Sequence, residues 1–224
     1  NVYRRIIDKD NKVEENINNW HKHLNSFGLG NYLGYDHPVG QPGYVPNANF
    51  YNLWYPNQRW RGSTIVSNAI GQGEILMTPI QLANVAATIA NRGFFYTPHF
   101  VKGIQGDFID PKYKTKRATS ISKEHFTNVI EGMADVVSKG TARVAGIRGI
   151  EVCGKTGTIE NFTKIDGVRT QLTDHSVFIA LAPKDDPKIA LAVIVENGYW
   201  GARWAAPIAS LVIEKYLKGE VKRR

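Results

Sequence analysis

Three patterns in the sequence predict an α/β fold: an antiparallel sheet with helices on both faces. Residues 175–182 and 188–196 are almost continuously apolar, rich in β-branched residues, and joined by the turn sequence Pro183-Lys184-Asp185-Asp186-Pro187. Neither run alternates between apolar and polar residues, which indicates strands that are covered on both sides. Residues 150–158 are a third candidate strand beside this hairpin.

The helices that would cover the sheet are predicted from apolar residues at helical spacing. The first begins with Thr78 as N-cap and Pro79 at the first helical position, and it stops at Gly93. The second runs over about 123–139, and the third from about 207 to Gly219. Each carries apolar side chains on one face, as a helix packed on a sheet requires.

The N-terminal quarter has a different composition. Residues 1–26 predict one or two short amphipathic helices that end at Gly28. Residues 28–62 are rich in glycine, proline and aromatic side chains, which predicts a long ordered loop region of the kind that often frames a binding site.

Composition excludes several classes of protein. With 224 residues, 42% hydrophobic and 21% charged, the chain is neither disordered nor a coiled coil. Its net charge of +8 comes from scattered basic residues, so no nucleic-acid partner is expected. The one cysteine, Cys153, is expected to pack inside a strand, and no histidine or cysteine pattern indicates a metal or a cofactor. No apolar run is long enough for a membrane span.

Residues 149–158 contain a motif that indicates a chemical function, and the motif has two possible interpretations. Gly149 to Thr156 matches the P-loop pattern G-x-x-x-x-G-K-[ST]. A P-loop, however, needs a flexible loop and then a helix, whereas residues 150–153 prefer a strand and 157–159 start a helix poorly.

The second interpretation is a K-T-G element on a strand beside a groove. On an alternating strand Lys155 and Gly157 share one side, so a positive charge lies next to a position without a side chain. The Lys155 ammonium can hold a carboxylate or assist proton transfer. Thr156 and Thr158 offer hydroxyl groups, and the Thr158 amide can face a developing oxyanion. An exposed strand with one lysine is the plain alternative.

The surrounding residues resemble class B penicillin-binding proteins, and within them the penicillin-binding protein 2 group of the elongation machinery. The resemblance runs from about Gly62 to Tyr216. It rests on the segments Ala69-Ile70-Gly71-Gln72-Gly73-Glu74, Met77-Thr78-Pro79-Ile80-Gln81-Leu82-Ala83, Gly140-Thr141-Ala142, Lys155-Thr156-Gly157-Thr158 and Trp200-Gly201 followed by Ala206-Pro207-Ile208-Ala209.

The resemblance implies the penicillin-binding fold and a serine-type peptidoglycan D,D-transpeptidase that cross-links stem peptides and binds β-lactam antibiotics. It assigns Lys155 to catalysis, as proton-transfer support and carboxylate anchor, and Thr156, Gly157 and Thr158 to substrate binding. It also implies membrane proteins of the elongation complex as partners. The location would be the periplasm, with an anchor in the inner membrane supplied by an N-terminal segment missing from this chain.

Two motifs of the family have no convincing match. Ser120-Ile121-Ser122-Lys123 fits S-x-x-K by letters, but both serines are better explained as N-caps of the helix near Lys123, and no S-x-N or S-x-D is present. Residues 1–224 are therefore expected to be the C-terminal part of one transpeptidase domain, with helices and groove-bordering loops in 1–140 and the K-T-G strand, hairpin and last helix in 141–224. Alone, this piece is expected to be inactive. A non-catalytic β-lactam or cell-wall sensor and a P-loop nucleotide-binding protein are the alternatives.

Overall fold

The computed structural model describes residues 2–37, 39–103 and 109–221. The chain forms two compact units. The first comprises Asn1–Thr78 and Tyr96–Ser120, and the second comprises Pro79–Phe95 and Ile121–Arg224. The short strand β1 (Phe94–Tyr96) spans the boundary between them, and β2 (Lys116–Ala118) belongs to the first unit.

The first unit is helical. Its helices are α1 (Val2–Ile7), α2 (Val13–Ser26) and α3 (Ala48–Trp54). They enclose a core of buried apolar and aromatic side chains: Tyr3, Ile7, Ile17, Ala48, Tyr51, Trp60 and Ile65. Of the one or two short helices expected before Gly28, the structure has two, and α2 is longer than expected at 14 residues.

Helix α3 corrects the expectation of continuous loop over residues 28–62. The Asn47 side chain accepts a hydrogen bond from the Phe50 amide at 3.0 Å, which caps the helix start. Tyr51 is fully buried, and its hydroxyl donates to Glu74 at 3.0 Å. Burial raises the pKa of Tyr51 far above its ordinary value. The buried Tyr51 side chain and the Asn47 cap therefore stabilise a helix in a segment whose composition is typical of a loop.

The second unit is built on a three-stranded antiparallel sheet in the order β3-β6-β7. The strands are β3 (Cys153–Ile159), β6 (His175–Ala182) and β7 (Ile189–Val195). Strand β6 pairs along its whole length with both neighbours, Phe178 lying opposite Thr156 on one side and Val193 on the other. The hairpin predicted across the Pro183–Pro187 turn and the third strand beside it are both confirmed, although β3 begins three residues later than expected.

Helices cover both faces of this sheet, as predicted. They are α4 (Pro79–Ala90), α5 (His125–Ser138) and α6 (Ala205–Lys218). Phe178, Ala180 and Ala182 form one cluster with the small residues of α6, and alternation along β6 places Val177 and Leu181 on the other face. Because these β6 residues are all at most 7% exposed, both faces are packed, and α4, which also lies on β6 and β7, covers the second face.

Two local expectations were wrong. Helix α5 begins with Glu124 at its N-cap and no side-chain cap, so neither Ser120 nor Ser122 caps it. The sequence interpretation also missed the exposed hairpin of β4 (Phe162–Ile165) and β5 (Val168–Gln171). Its turn is Asp166-Gly167, both with positive φ, which is the usual two-residue hairpin turn and was a readable signal.

In the part of the chain that the structure describes, no helix has both the length and the apolar character needed to cross a lipid bilayer.

Candidate active site

The K-T-G motif lies in the middle of β3, at an edge of the main sheet. One edge of β3 pairs with β6, and no strand among the described residues pairs with the other. The unbroken register places Lys155 opposite Ile179 and Gly157 opposite Val177, so Lys155 and Gly157 share a face, as expected. Lys155 is exposed, whereas Cys153 on the same strand is completely buried. The strand is thus anchored at one end and accessible from the motif onward.

This geometry overturns the P-loop interpretation. The P-loop lysine and threonine would stand at the start of a helix, where the helix amides and dipole converge on phosphate. Here Lys155 and Thr156 lie within a seven-residue strand that continues to Ile159. The two side chains point to opposite faces of that strand, which excludes a joint phosphate cradle.

The polar groups of the motif contact one another and the segment after α5. The Lys155 ammonium donates to the Thr156 carbonyl at 2.8 Å, and the Thr156 hydroxyl lies 3.0 Å from the hydroxyl of Thr141. Thr141 follows the end of α5 closely, and α5 itself packs on β3. Sequence reasoning used Thr141 only as part of a resembling segment, but it is a direct partner of the motif.

Gly157 lies where the backbone is closely packed. A Cβ atom at Gly157 would come within 3.3 Å of the Val177 side chain. A Cβ atom at Gly201 would come within 2.7 Å of the Gly157 carbonyl oxygen and 3.0 Å of its nitrogen. The backbone of the loop between β7 and α6 therefore lies directly on the motif strand, and two glycines permit the approach.

That loop is fixed by hydrogen bonds to the sheet. The hydroxyl of the fully buried Ser176 donates to the Trp200 carbonyl at 2.9 Å and accepts from the Ala205 amide at 3.1 Å. The Tyr199 amide donates to the Asp174 carbonyl at 2.9 Å, and Tyr199 has a φ of +64°. A bulky residue in the left-handed region is held there by its surroundings. These contacts could not be read from the sequence.

A groove of about 550 Å³ opens between this loop and the end of the motif strand. Its walls are formed by residues from three segments: Thr158, Gln171, Leu172, Thr173, Asp174, Tyr199 and Trp200. The two aromatic side chains remain about half exposed, at 46% and 54%. Sequence reasoning identified only Thr158 of this set as a site residue.

The Cys153 thiol, at the buried end of β3, is unreactive. Burial, followed by the negative charge of Glu151, raises the pKa of the Cys153 thiol to about 11. Nearby, the Lys184 ammonium donates to Glu131 at 2.8 Å and lies 3.3 Å from Glu151, and these contacts raise the pKa of Lys184. Cys153 is therefore a packing residue, as expected, and not a nucleophile.

Ser120, the alternative nucleophile, belongs to the first unit and contacts polar side chains there. Its hydroxyl lies 2.6 Å from Nδ1 of His23 and 3.0 Å from the Ser26 hydroxyl, and its amide donates to Ser26 at 3.1 Å. Ser120 thus links the connection before α5 to helix α2.

Comparison with known proteins agrees with this geometry. The family profile described as the penicillin binding protein transpeptidase domain matches residues 5–214. The peptidoglycan D,D-transpeptidase MrdA of Acinetobacter baumannii is 33% identical over 219 residues, which cover 91% of this chain and 31% of that protein. The chain therefore spans about a third of the length of this curated relative.

Solved structures show the same fold. The crystal structure of Pseudomonas aeruginosa PBP2 in complex with WCK 5153 matches with a TM-score of 0.74 and 31% identity, over 90% of this chain and 44% of that one. Penicillin-binding protein A of M. tuberculosis, an imipenem acyl-enzyme complex, matches with a TM-score of 0.64 and 28% identity, over 88% and 41% of the two chains. The chain belongs to the penicillin-binding protein transpeptidase family, as a class B member close to penicillin-binding protein 2.

Proposed function

We propose that residues 1–224 are the C-terminal part of the transpeptidase domain of a peptidoglycan D,D-transpeptidase. The observation that carries the proposal is the placement of Lys155-Thr156-Gly157-Thr158 on the edge strand of an antiparallel sheet, within the region that matches the family. Residues 1–140 would supply helices and groove-bordering loops. Residues 141–224 would supply the motif strand, the closing hairpin and the last helix.

The reaction we propose is acyl transfer through a serine ester. A serine hydroxyl attacks the carbonyl of the penultimate D-Ala of a stem peptide, and the amide bond to the terminal D-Ala breaks as that residue leaves with a proton. An amine of a neighbouring strand then attacks the ester. A new amide bond forms and the serine hydroxyl is restored.

The motif residues take separate roles in this reaction. The exposed Lys155 ammonium anchors the donor's terminal carboxylate and supports proton transfer. Thr156 and Thr158 bind the substrate by hydrogen bonds, and the Thr158 amide stabilises the oxyanion. Gly157 keeps the path along the strand clear. A β-lactam would acylate the same serine, in agreement with the acyl-enzyme that imipenem forms with the M. tuberculosis relative.

We place the acylated serine outside these 224 residues. The MrdA relative is about three times as long as the matched part. The S-x-x-K pattern of Ser120 to Lys123 follows the segment Gly71-Gln72-Gly73, whereas the family has its acylated serine ahead of that segment. The piece alone would then form no acyl-enzyme. By the same inference, the protein would work in the periplasm, anchored to the inner membrane by a segment outside this chain, together with membrane proteins of the elongation complex.

Peptide mapping after reaction of the full-length protein with a fluorescent penicillin tests the proposal. We expect one labelled serine, outside residues 1–224, and release of D-Ala from a peptide ending in D-Ala-D-Ala. Release of D-Ala separates a transpeptidase from a sensor that is acylated without turnover. Labelling of Ser120, or of no serine, would contradict the proposal.

A further inference from the structure

One histidine ties the loop between β7 and α6 to the sheet. The Asn197 amide donates a hydrogen bond to Nδ1 of His175, the first residue of β6, at 3.0 Å. A backbone amide can only donate, so Nδ1 is the unprotonated nitrogen of this ring and the neutral imidazole carries its proton on Nε2. A protonated imidazole has no lone pair left at Nδ1, so it cannot accept this bond.

The hydrogen bond holds the beginning of a loop that lies on the motif strand. Asn197 is exposed and has a φ of +53°, and its side chain accepts from Asn161 at 3.0 Å. Further along the loop, the backbone of Gly201 lies against the motif, so close that a Cβ atom there would come within 2.7 Å of the Gly157 carbonyl oxygen. The contacts of Asn197 therefore set the path along which the loop reaches the motif strand.

The imidazole itself is too far along the strand to take part in the chemistry. His175 lies opposite Ile159, and the register places Lys155 and Gly157 on the same face of the sheet. Four residues of β3 separate Ile159 from Lys155, which is roughly 13 Å of strand. Any effect of His175 on the motif must therefore pass through the loop.

The bond from Asn197 is the contact through which protonation of the ring would act. The ionisable side chains in the segments around His175 are those of Asp174, Glu160, Arg169, Glu196 and Arg203. Within the described ranges, none of them forms a hydrogen bond or an ion pair with the imidazole. Asp174 accepts from Gln171, Glu160 pairs with Arg169, and Arg203 lies over Tyr199. Helix α4, which packs on β6, has no ionisable side chain.

We infer that His175 is a positioning residue for the proposed reaction, and that it works only as a neutral imidazole. The neutral ring accepts from the Asn197 amide and so holds the loop, and through Gly201 the motif strand, in place. When the ring is protonated, the amide loses its acceptor and faces a second donor, so the loop loosens. The effect on catalysis rests on the proposed function, whereas the loosening of the loop does not.

Hydrogen exchange of the full-length protein tests the loop without any reaction. Exchange of peptides that cover residues 196–201 is measured by mass spectrometry at about pH 8 and about pH 5.5, on either side of the usual titration range of imidazole. Each rate is divided by the intrinsic exchange rate of the same peptide at that pH. We expect the protection of the parent loop to fall by roughly 5- to 10-fold at the lower pH, as for the loss of one hydrogen bond.

Two substitutions separate the acceptor from the rest of the ring. In His175→Asn, the side-chain oxygen takes the place of Nδ1 and accepts at either pH, so the protection should no longer depend on pH. In His175→Phe, a ring remains but no acceptor, so the protection should be low at both pH values. His125→Asn, the same substitution at the exposed first residue of α5, is the matched control and should follow the parent.

Acylation by a fluorescent penicillin at the same two pH values tests the effect on the motif strand. The rate of His175→Asn is divided by the parent rate, because the effects of pH on the remaining groups then cancel. This ratio should rise by roughly 5-fold between about pH 8 and about pH 5.5. A histidine with a merely structural role would give the same ratio at both.

Unchanged protection of the parent loop at the lower pH would overturn the inference, and so would a His175→Asn protein with the pH dependence of the parent. A constant ratio of acylation rates would overturn the positioning role. If no penicillin acylates the parent protein, the proposed function itself fails. Hydrogen exchange then still shows whether neutral His175 holds the loop, so the two failures are distinguishable.

Discussion

Gly201→Ala tests how closely the loop before α6 lies against the motif strand. Gly201 is buried, and its φ lies outside the left-handed region, so alanine introduces only a methyl group and no backbone strain. That methyl carbon would lie 2.5 Å from the Val177 carbonyl oxygen and 2.7 Å from the Gly157 carbonyl oxygen. Both are backbone atoms of paired strands, so no side-chain rotation relieves the contact.

The cost follows from overpacking. Extra methyl groups in well-packed interiors cost about 1–3 kcal/mol. At no more than about 2–4 °C per kcal/mol for a domain of this size or larger, a cost of about 2 kcal/mol lowers the melting temperature by at most about 4–8 °C. Any relief must move the loop or the strand at Gly157, so we also expect slower acylation by penicillin.

Thermal melting followed by circular dichroism and the acylation rate by a fluorescent penicillin are measured on the same full-length variant. The matched control is Gly132→Ala in α5, where nothing lies within 4 Å of the new carbon and the helix should gain about 0.5–1 kcal/mol. A Gly201→Ala protein that melts and reacts like the parent would refute the close packing described here.

Three further outcomes are expected. Because burial raises the pKa of Cys153 to about 11, the native protein should react with iodoacetamide at pH 8 far more slowly than the unfolded protein, and equal rates would contradict this. The amides of Phe100 and Val101 donate to Asp36 at 2.8 Å each and lower its pKa. Its stabilising effect is therefore present above the unfolded value of 3.8 and is lost as the pH falls through the lowered pKa. Asp36→Asn should thus melt below the parent at pH 7, with a difference that shrinks in acid; a constant difference would count against it. Ser120→Ala should lose less than about 1 kcal/mol and keep its penicillin labelling, and loss of labelling would restore Ser120 as a nucleophile.

The sheet and its helices could be predicted from the sequence because the residue patterns that form them are local. The β-branched apolar runs of β6 and β7, joined by a proline-rich turn, favour a covered hairpin, and Pro79 at the first turn of α4 favours the start of that helix. Helix α3 was missed because the composition of the surrounding segment is typical of a loop. The helix is stabilised by one Asn cap and by one buried tyrosine, Tyr51.

Only part of the candidate site could be predicted from the sequence. Lys155 to Thr158 form a contiguous motif, and alternation along a strand gives the direction of each side chain. The groove, in contrast, unites Thr158, Asp174 and Trp200, which are far apart in sequence and meet through the pairing of β3 with β6 and the fixed loop before α6. No local sequence pattern predicts that these residues lie together. The segment Gly198-Tyr199-Trp200-Gly201, with two aromatic residues between two glycines, was nevertheless a signal of a functional loop.

Acylation of the full-length Lys155→Ala protein by a fluorescent penicillin tests the central claim most directly. Lys155 is exposed on the edge strand, so the substitution should leave the melting temperature almost unchanged. Loss of its electrostatic and proton-transfer roles should slow acylation by about 100-fold or more. Lys164→Ala, in the exposed strand β4, is the matched control and should react like the parent. A Lys155→Ala protein that is acylated within about 3-fold of the parent rate would remove the motif strand from the reaction and contradict the proposed function.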